Sequence, residues 1–384
     1  MVKIIKIKPR KIDVVSLYAT SFIEHLIPSN TSVQDVTVMR NKINYVSSFS
    51  FFLILFRKVI FEKSEGRFKK NLLLKLTTSI IDSLNPSVII TRKDNAYEVL
   101  SHLTRKYPNK LVCAVQNGSR LSGGPGIENT KNCHIDTFFG FGDYEYDLIK
   151  SHGGVINNYF PVGSIKQGLF LSNNKKSEKK YDLCFVSHYS SFGYESSDYK
   201  IVRMYEIVNE SLYKIKKISI LDELLLVVAA VNSDQVSKNY SNSFEEESDL
   251  IINTGVSRDQ IIPNDIHKFR TYDTCFSSEI TIGVCSTVLF EMLGSGNKIL
   301  FIGTGDLILN ELMSETLKML PEEIKVETLE QNDIRSKILN LINMSDSDYK
   351  SLTKDARIYY MAISNSYPHE VIKKHIAEYI VSSS

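Results

Sequence analysis

The sequence contains no tryptophan. Aromatic bulk comes instead from 20 tyrosines and 19 phenylalanines, so ring-filled cores remain available. Cysteine is sparse: Cys113, Cys133, Cys184, Cys275 and Cys285, five in all, with no CxxC pair. An odd count without that spacing indicates neither a disulfide framework nor a zinc knuckle. Cys113, Cys184 and Cys285 sit in apolar runs, as small buried thiols do, and free thiols suit a reducing cytoplasm. Nine prolines and 18 glycines in 384 residues exclude collagen-like and low-complexity classes. Charge of either sign is not in excess, since 46 Lys+Arg against 44 Asp+Glu leaves +2. That balance argues against a protein that coats nucleic acid, and no nucleic-acid reader motif is present. Long hydrophobic runs are missing as well. The most apolar early stretch, residues 49–56 (FSFFLILF), is far short of the ~20 residues that a spanning helix needs. The N-terminus interleaves lysine with isoleucine and has no apolar signal core, so no secretory leader is expected. Its cations Lys3, Lys6, Lys8, Arg10 and Lys11 suit either a solvated face or peripheral contact with an anionic membrane.

What is present is an alternation. Short apolar runs end in small or polar residues and give way to helix-like stretches. Residues 87–91 (SVIIT) precede 94–106, 110–115 (KLVCAV) precede 116–120, and 135–140 (IDTFFG) precede 144–151. In the second half, 181–186 (YDLCFV), 224–231 (LLLVVAAV), 279–284 (EITIGV) and 298–302 (KILFI) are strand candidates, with a helix over 286–293. Runs of about five residues alternating with helices indicate buried parallel strands and βαβ units. At roughly 100–200 residues per domain, the length suits two such units. The lysine-rich stretch 167–180 (QGLFLSNNKKSEKK) breaks the pattern and reads as a linker. Residues 232–266 read as a surface excursion. The tail from about 345 has helical spacing, with Tyr349, Leu352, Ala356, Tyr359 and Tyr360 on one face. The expected organisation is an α/β chain of a first domain over 1–166, a linker over 167–180 and a second domain over 181–344. A helical segment over 345–384 would pack back across the boundary.

Ligands in open α/β sheets bind beyond the carboxyl ends of the strands, so the turns there carry the candidate chemistry. After SVII come Arg92, Lys93, Asp94 and Asn95. Asp94 is placed for acid, base or nucleophile work, and equally for capping the next helix. After KLVCAV come Gln116, Asn117, Gly118, Ser119 and Arg120. They offer amide donors and acceptors and a guanidinium fork for a carboxylate or phosphate. The glycine-dense 121–126 that follows is neither a GxGxxG fingerprint nor a Walker loop. Gly163 and Ser164 (in PVGS) would end the first domain at the cleft. Ser187 and His188 form a strand-to-helix turn suited to phosphate, with His188 able to add a proton or a charge or to serve only as packing. Ser286 and Thr287 stand at a further helix start, and Glu291 follows one turn later, placed for a ribose hydroxyl or a helix cap.

In this order, the segments ITRKDN, VQNGSR, FFGFGDYEYDL, YFPVGSIKQGLF, YDLCFVSHYSS and GVCSTVLFEMLGSGNKILFIG resemble bacterial surface-carbohydrate glycosyltransferases of the GT-B type. They spread over roughly residues 86–305. The resemblance implies two Rossmann-like domains facing a cleft, with a nucleotide-sugar donor held mainly by the second. It implies donor contacts from Ser187, His188, Ser286, Thr287 and Glu291. Asp94, Asn95 and Arg120 would be catalytic, and Gln116, Asn117, Gly163 and Ser164 would face the sugar or acceptor. Related capsule and lipopolysaccharide enzymes transfer 3-deoxy-manno-octulosonic acid (Kdo) from a CMP donor. Such an acidic sugar would suit Arg92, Lys93 and Arg120, with Asp94 as nucleophile. This sequence has Lys93 where many relatives have a hydrophobic residue before the Asp-Asn pair. No DxD stands at an expected strand end, so a metal-independent reaction without further cofactor is expected. Transfer onto a glycan or glycolipid acceptor at the inner face of the cell membrane follows from the same likeness. Two alternatives remain open at the level of sequence. One is transfer of a polyol phosphate from a CDP-linked donor, which wants a histidine pair where only His188 and His267 lie near suitable turns. The other is a non-catalytic nucleotide-sugar-binding protein.

Overall fold

The computed structural model of the protein describes residues 2–6, 12–18, 22–36, 38–39, 42–47, 54–57, 68–124, 127–173, 178–188, 199–231, 244–265, 269–362 and 366–383. The first half supplies strands β1 (Val2–Lys6), β2 (Val14–Leu17), β3 (Val33–Val36), β4 (Val38–Met39), β5 (Lys42–Ser47), β6 (Val88–Thr91), β7 (Leu111–Val115), β8 (His134–Gly140) and β9 (Val155–Pro161). Its helices include α1 (Ile23–Leu26), α2 (Phe68–Leu84), α3 (Tyr97–Lys106), α4 (Asp143–Ser151) and α5 (Ile165–Asn173). Six strands form one parallel sheet in the order β3-β2-β6-β7-β8-β9. Side chains alternate between its faces. Val88 and Ile90, with Leu111, Cys113 and Val115, join one core, while Ile89, Val112 and Ala114 join the other. Both faces are covered, which is why these strands read as unbroken apolar runs. A small separate sheet pairs β1 parallel with β5, and β5 antiparallel with β4.

The second half contributes β10 (Tyr181–Val186), β11 (Leu226–Ala229), β12 (Ile261–Ile262), β13 (Ser278–Gly283), β14 (Lys298–Ile302) and β15 (Lys325–Val326). Its helices include α6 (Tyr199–Leu221), α7 (Phe244–Ile252), α8 (Arg270–Phe276), α9 (Thr287–Ser295), α10 (Leu307–Leu317), α11 (Gln331–Asn343), α12 (Asp346–Leu352), α13 (Lys354–Tyr360) and α14 (Pro368–Ser382). The six strands are parallel in the order β12-β11-β10-β13-β14-β15. That is the doubly wound order in which the chain reverses direction between β10 and β13, opening a crevice at their carboxyl ends. Two such sheets with flanking helices make the GT-B-like α/β architecture expected from the sequence.

The chain then crosses back. Helix α13 packs on α4 and α9, and α14 packs on α1 and α5. Ile372 and Ile376 of α14 are fully buried in the core that contains Val14, Val88 and Val115. At the crossing the backbones come close. A side chain on Gly142, just before α4, would collide with the Tyr359 carbonyl oxygen, so only glycine fits there.

Several expectations are corrected. Residues 116–120 form a loop and not a helix, because the Gln116 side chain takes over backbone partners: its Oε1 accepts from Phe141 N at 2.6 Å. The expected linker is helical through Asn173, since buried Leu169 and Phe170 anchor α5. Of the expected surface excursion, residues 244–265 supply α7 and the sheet strand β12, while 232–243 lie outside the described residues. The tail breaks at buried Thr353, whose hydroxyl donates to the Tyr349 carbonyl at 2.7 Å. Tyr349, Ala356 and Tyr360 are buried as expected. The side chains of the basic N-terminus lie outside the described residues. Among the described residues no helix is long and apolar enough to cross a membrane.

Candidate functional site

Beyond the carboxyl ends of β10 and β13 lies a cavity of about 440 Å³, within the range of small-molecule sites. Ser187, His188, Ser286, Thr287 and Glu291 line it from the second half, and Asn117 and Lys166 from the first. One side is therefore built at the switch point, and the other is brought by the opposite sheet.

The sequence dictates the floor. Gly283 ends β13, and the chain turns through extended Ser286 (φ −81°, ψ 138°) into α9. The Ser286 hydroxyl accepts from Val288 N at 3.3 Å, a helix cap. Leu289 N donates to the Ser286 carbonyl at 3.1 Å, so it is the positive end of the helix dipole, with the Ser286 and Thr287 hydroxyls, that favours an anion here. Thr287 is drawn to the other half: its Oγ1 accepts from Ser119 N at 3.1 Å. Gly118 leaves room for that hydroxyl, which would lie 3.3 Å from an added Cβ.

On the opposite wall the Ser187 hydroxyl donates to Glu247 Oε1 at 2.7 Å, and Val231 N donates to the same oxygen at 2.8 Å. Fully buried Glu247 thus fixes the ends of β10 and β11. His188 is raised from its ordinary pKa first by Cys285 beside it, with burial opposing. Asn264 is oriented by Thr271, whose hydroxyl donates to its Oδ1 at 3.0 Å, while its Nδ2 donates to Val231 O at 3.0 Å.

Glu291 lines the cavity but is already engaged. Tyr272 OH lies 2.9 Å from both of its oxygens, and Ser164 donates to Oε1. Burial pushes its carboxyl up, against the pull of Ser164 and Lys166. Gln167 Nε2 donates to the Glu291 carbonyl and, at 2.7 Å, to Ser295 Oγ. These contacts seam α5 to α9.

A second cluster stands behind the loop. Arg120 forks between two buried carboxylates, with Nη2 2.6 Å from Asp94 and Nη1 2.7 Å from Glu145. Burial raises Asp94 despite Arg120, and raises Glu145 to about 7. Asp94 also receives the Asn117 backbone amide. Arg92 Nη2 donates to Asn117 Oδ1 at 2.7 Å, which orients the exposed Asn117 side-chain amide. The arrangement holds Asn117 at the cavity edge.

The structure thus brings together Ser187, His188, Ser286, Thr287, Glu291 and Asn117 from the expected set. It does not bring Asp94, Asn95 or Arg120 to the cavity wall. Asp94 is 2% exposed and held by Arg120, and Asn95 is exposed outside it. Gln116 is 1% exposed and committed to backbone, so it faces no acceptor. Gly163, at φ 89°, packs under the Ala362 carbonyl, and Ser164 is spent on Glu291, so neither is open to an acceptor. Lys166, Tyr272, Glu145 and Glu247 were missed by sequence reasoning. Lys166 carried a signal as the cation two residues after PVGS, and Glu145 as an acid at helical spacing from Leu148 and Ile149. Among the described residues no cluster of His, Cys, Asp and Glu has a metal-binding arrangement.

No protein-family model and no curated protein sequence matches the chain. Its similarities are to solved structures. A Listeria monocytogenes structure assigned as a UDP-N-acetylglucosamine 2-epimerase matches with TM-score 0.52 and 13% identity, over 96% of this chain and 98% of that one. A UDP co-structure of S. aureus MnaA matches with TM-score 0.52 and 12% identity, over 96% and 97%. A variant of the wall teichoic acid polymerase TagF matches with TM-score 0.51 and 12% identity, over 98% and 90%. At these identities the likeness establishes a shared two-domain fold spanning nearly the whole chain.

Proposed function

We propose that the protein is a GT-B-type enzyme that uses a nucleotide-activated sugar in the synthesis of a bacterial surface polymer, transferring the sugar to a glycan or glycolipid acceptor. The observation that carries this reading is the cavity of about 440 Å³ at the switch point, floored by the capped start of α9. Helix amides and hydroxyls there suit a leaving phosphate and supply stabilisation that grows as its charge develops. Two fold neighbours, MnaA in complex with UDP and the wall teichoic acid polymerase TagF, support the same reading.

The reading favours a UDP-linked donor over CMP-linked Kdo. The case for an acidic sugar rested on Arg92, Lys93 and Arg120. Arg92 is tied to Asn117, Arg120 is neutralised by Asp94 and Glu145, and Lys93 lies over the Tyr18 ring, 5.0 Å from its centroid. Asp94 then serves to position Arg120 and the Asn117 backbone, and not as nucleophile. His188 is the titratable group of the wall suited to proton transfer. The likeness to TagF keeps polyol-phosphate transfer as the second reading, with His188 as its histidine.

The test is a thermal-shift panel of UDP, CDP, CMP and GDP, followed by nucleotide release from the matching sugar or glycerol donors. A ligand that binds only the folded form raises its stability, by about 2.7 kcal/mol at a hundred times its Kd. A shift with UDP and release of UDP are expected. No shift with any nucleotide would sink the reading, and a shift without turnover would leave a binding protein.

A further inference from the structure

Lys166 is the cavity residue that the rest of the site leaves unexplained. It sits in the first turn of α5, between two residues that clamp that turn to α9. Ser164 donates to the Glu291 carboxylate, and Gln167 donates to the Glu291 carbonyl and to Ser295 Oγ. Both of its neighbours point into the seam, whereas Lys166 lines the cavity shared with Ser286 and Thr287. It is half-buried, yet among the described residues it has no hydrogen-bond or ion-pair partner. Burial pushes its ammonium down, with Glu291 pulling up and Arg92 pushing down. Glu291 does not neutralise it within ion-pair distance, because Tyr272 and Ser164 hold that carboxylate.

A desolvated, unpaired ammonium costs stability. Arg92 acts on it through space, and the N-terminal end of the α9 dipole lines the same cavity, while the Glu291 carboxylate there is held by Tyr272 and Ser164. An anion bound beside Lys166 would pair its charge and meet the helix dipole favourably.

We infer that Lys166 is the anion anchor of the site, a cation from the first half of the chain that takes the phosphate of a nucleoside-diphosphate ligand held against α9 of the second half. The inference rests on the donor reading above and adds to it a cross-domain contact. Phosphate binding would tie α5 to α9 a second time, beside the contacts of Ser164 and Gln167.

Isothermal titration of the full-length chain with UDP, CDP, uridine and inorganic pyrophosphate tests it. Lys166→Met should weaken the diphosphates and pyrophosphate about ten- to a hundredfold, as loss of a charge-assisted hydrogen bond does, and leave uridine within about twofold. Lys166→Arg should recover most of the loss. Without ligand, Lys166→Met should resist urea at least as well as the parent; if it fails to fold, Lys166→Gln supplies the neutral comparison. Equal loss of uridine and UDP, or unchanged UDP binding, would overturn the anchor. Parent protein that binds pyrophosphate through Lys166 but no nucleotide would keep the anchor and remove the donor reading. Parent protein that binds none of the four ligands would remove both.

Discussion

Glu145 should make this protein less stable as the pH rises from 5 to 8, and Glu145→Gln should remove the effect. Two buried carboxylates share one guanidinium, so the cluster carries one negative charge too many. Arg120 lies 2.6 Å from Asp94 and 2.7 Å from Glu145, and Glu145 is fully buried. Burial therefore raises Glu145 from 4.5 to about 7, while Arg120 holds it down and Asp94 pushes it up. A carboxyl whose pKa is higher in the folded chain binds its proton more tightly there. Its stabilising effect is complete below the unfolded pKa and fades as the pH climbs through the folded one. Across pH 5 to 8 that amounts to about 2–3 kcal/mol, at roughly 1.4 kcal/mol per pKa unit. A glutamine keeps an oxygen for Arg120 and cannot ionise. Its packing cost is the same at both pH values and cancels in the comparison. Urea unfolding of both proteins at pH 5 and pH 8 measures the difference. The variant should gain about 2–3 kcal/mol on the parent between the two conditions. Parallel stabilities would refute the burial argument and imply that water or a rearranged partner reaches Glu145.

Other consequences of the geometry can be measured directly. Arg120→Ala leaves Asp94 and Glu145 buried without their cation and should cost about 3–5 kcal/mol in urea unfolding. Ser164→Ala removes a hydrogen bond to the Glu291 carboxylate across the seam and should cost about 1.5–3 kcal/mol, read in the same way. Ser286→Ala should lose about 1 kcal/mol of helix cap and weaken UDP more than uridine in titration. Asp94→Asn should lower stability more than turnover once the folded fraction is corrected for; a loss of several orders of magnitude in kcat with intact folding would restore it as nucleophile.

The central strands were legible because a parallel strand covered on both faces leaves an unbroken apolar run such as LVCAV or KILFI, whereas β3 and β9, partly exposed at the sheet edges, carry polar residues and were not found. The strand order with its reversal between β10 and β13 was not legible, and β12 and β15, two residues long, leave no pattern. Within the site, Ser286 and Thr287 could be placed because a hydroxyl pair between a strand and a helix has few other positions. Asp94 and Arg120 misled because a charged residue after a strand looks the same whether it faces a ligand or a partner. Here the partner was Glu145, whose spacing puts it on the buried face of α4 with Leu148 and Ile149, but whose pairing with Arg120 no spacing shows. Ser164 and Gln167 were ambiguous for the same reason: their partner, Glu291, stands more than a hundred residues away.

Helix α14 finishes a core that the chain began at Val14. Synthesis from the ribosome therefore meets a delay. The sheet of β2 to β9 emerges early, and Leu26, Ile27, Ile165 and Leu169 join its face around Val88 and Val115, but that face lacks Ile372 and Ile376 until the whole β10–β15 unit has been made. During that interval the uncovered strip is where a chaperone would bind, or where two nascent chains would stick to one another.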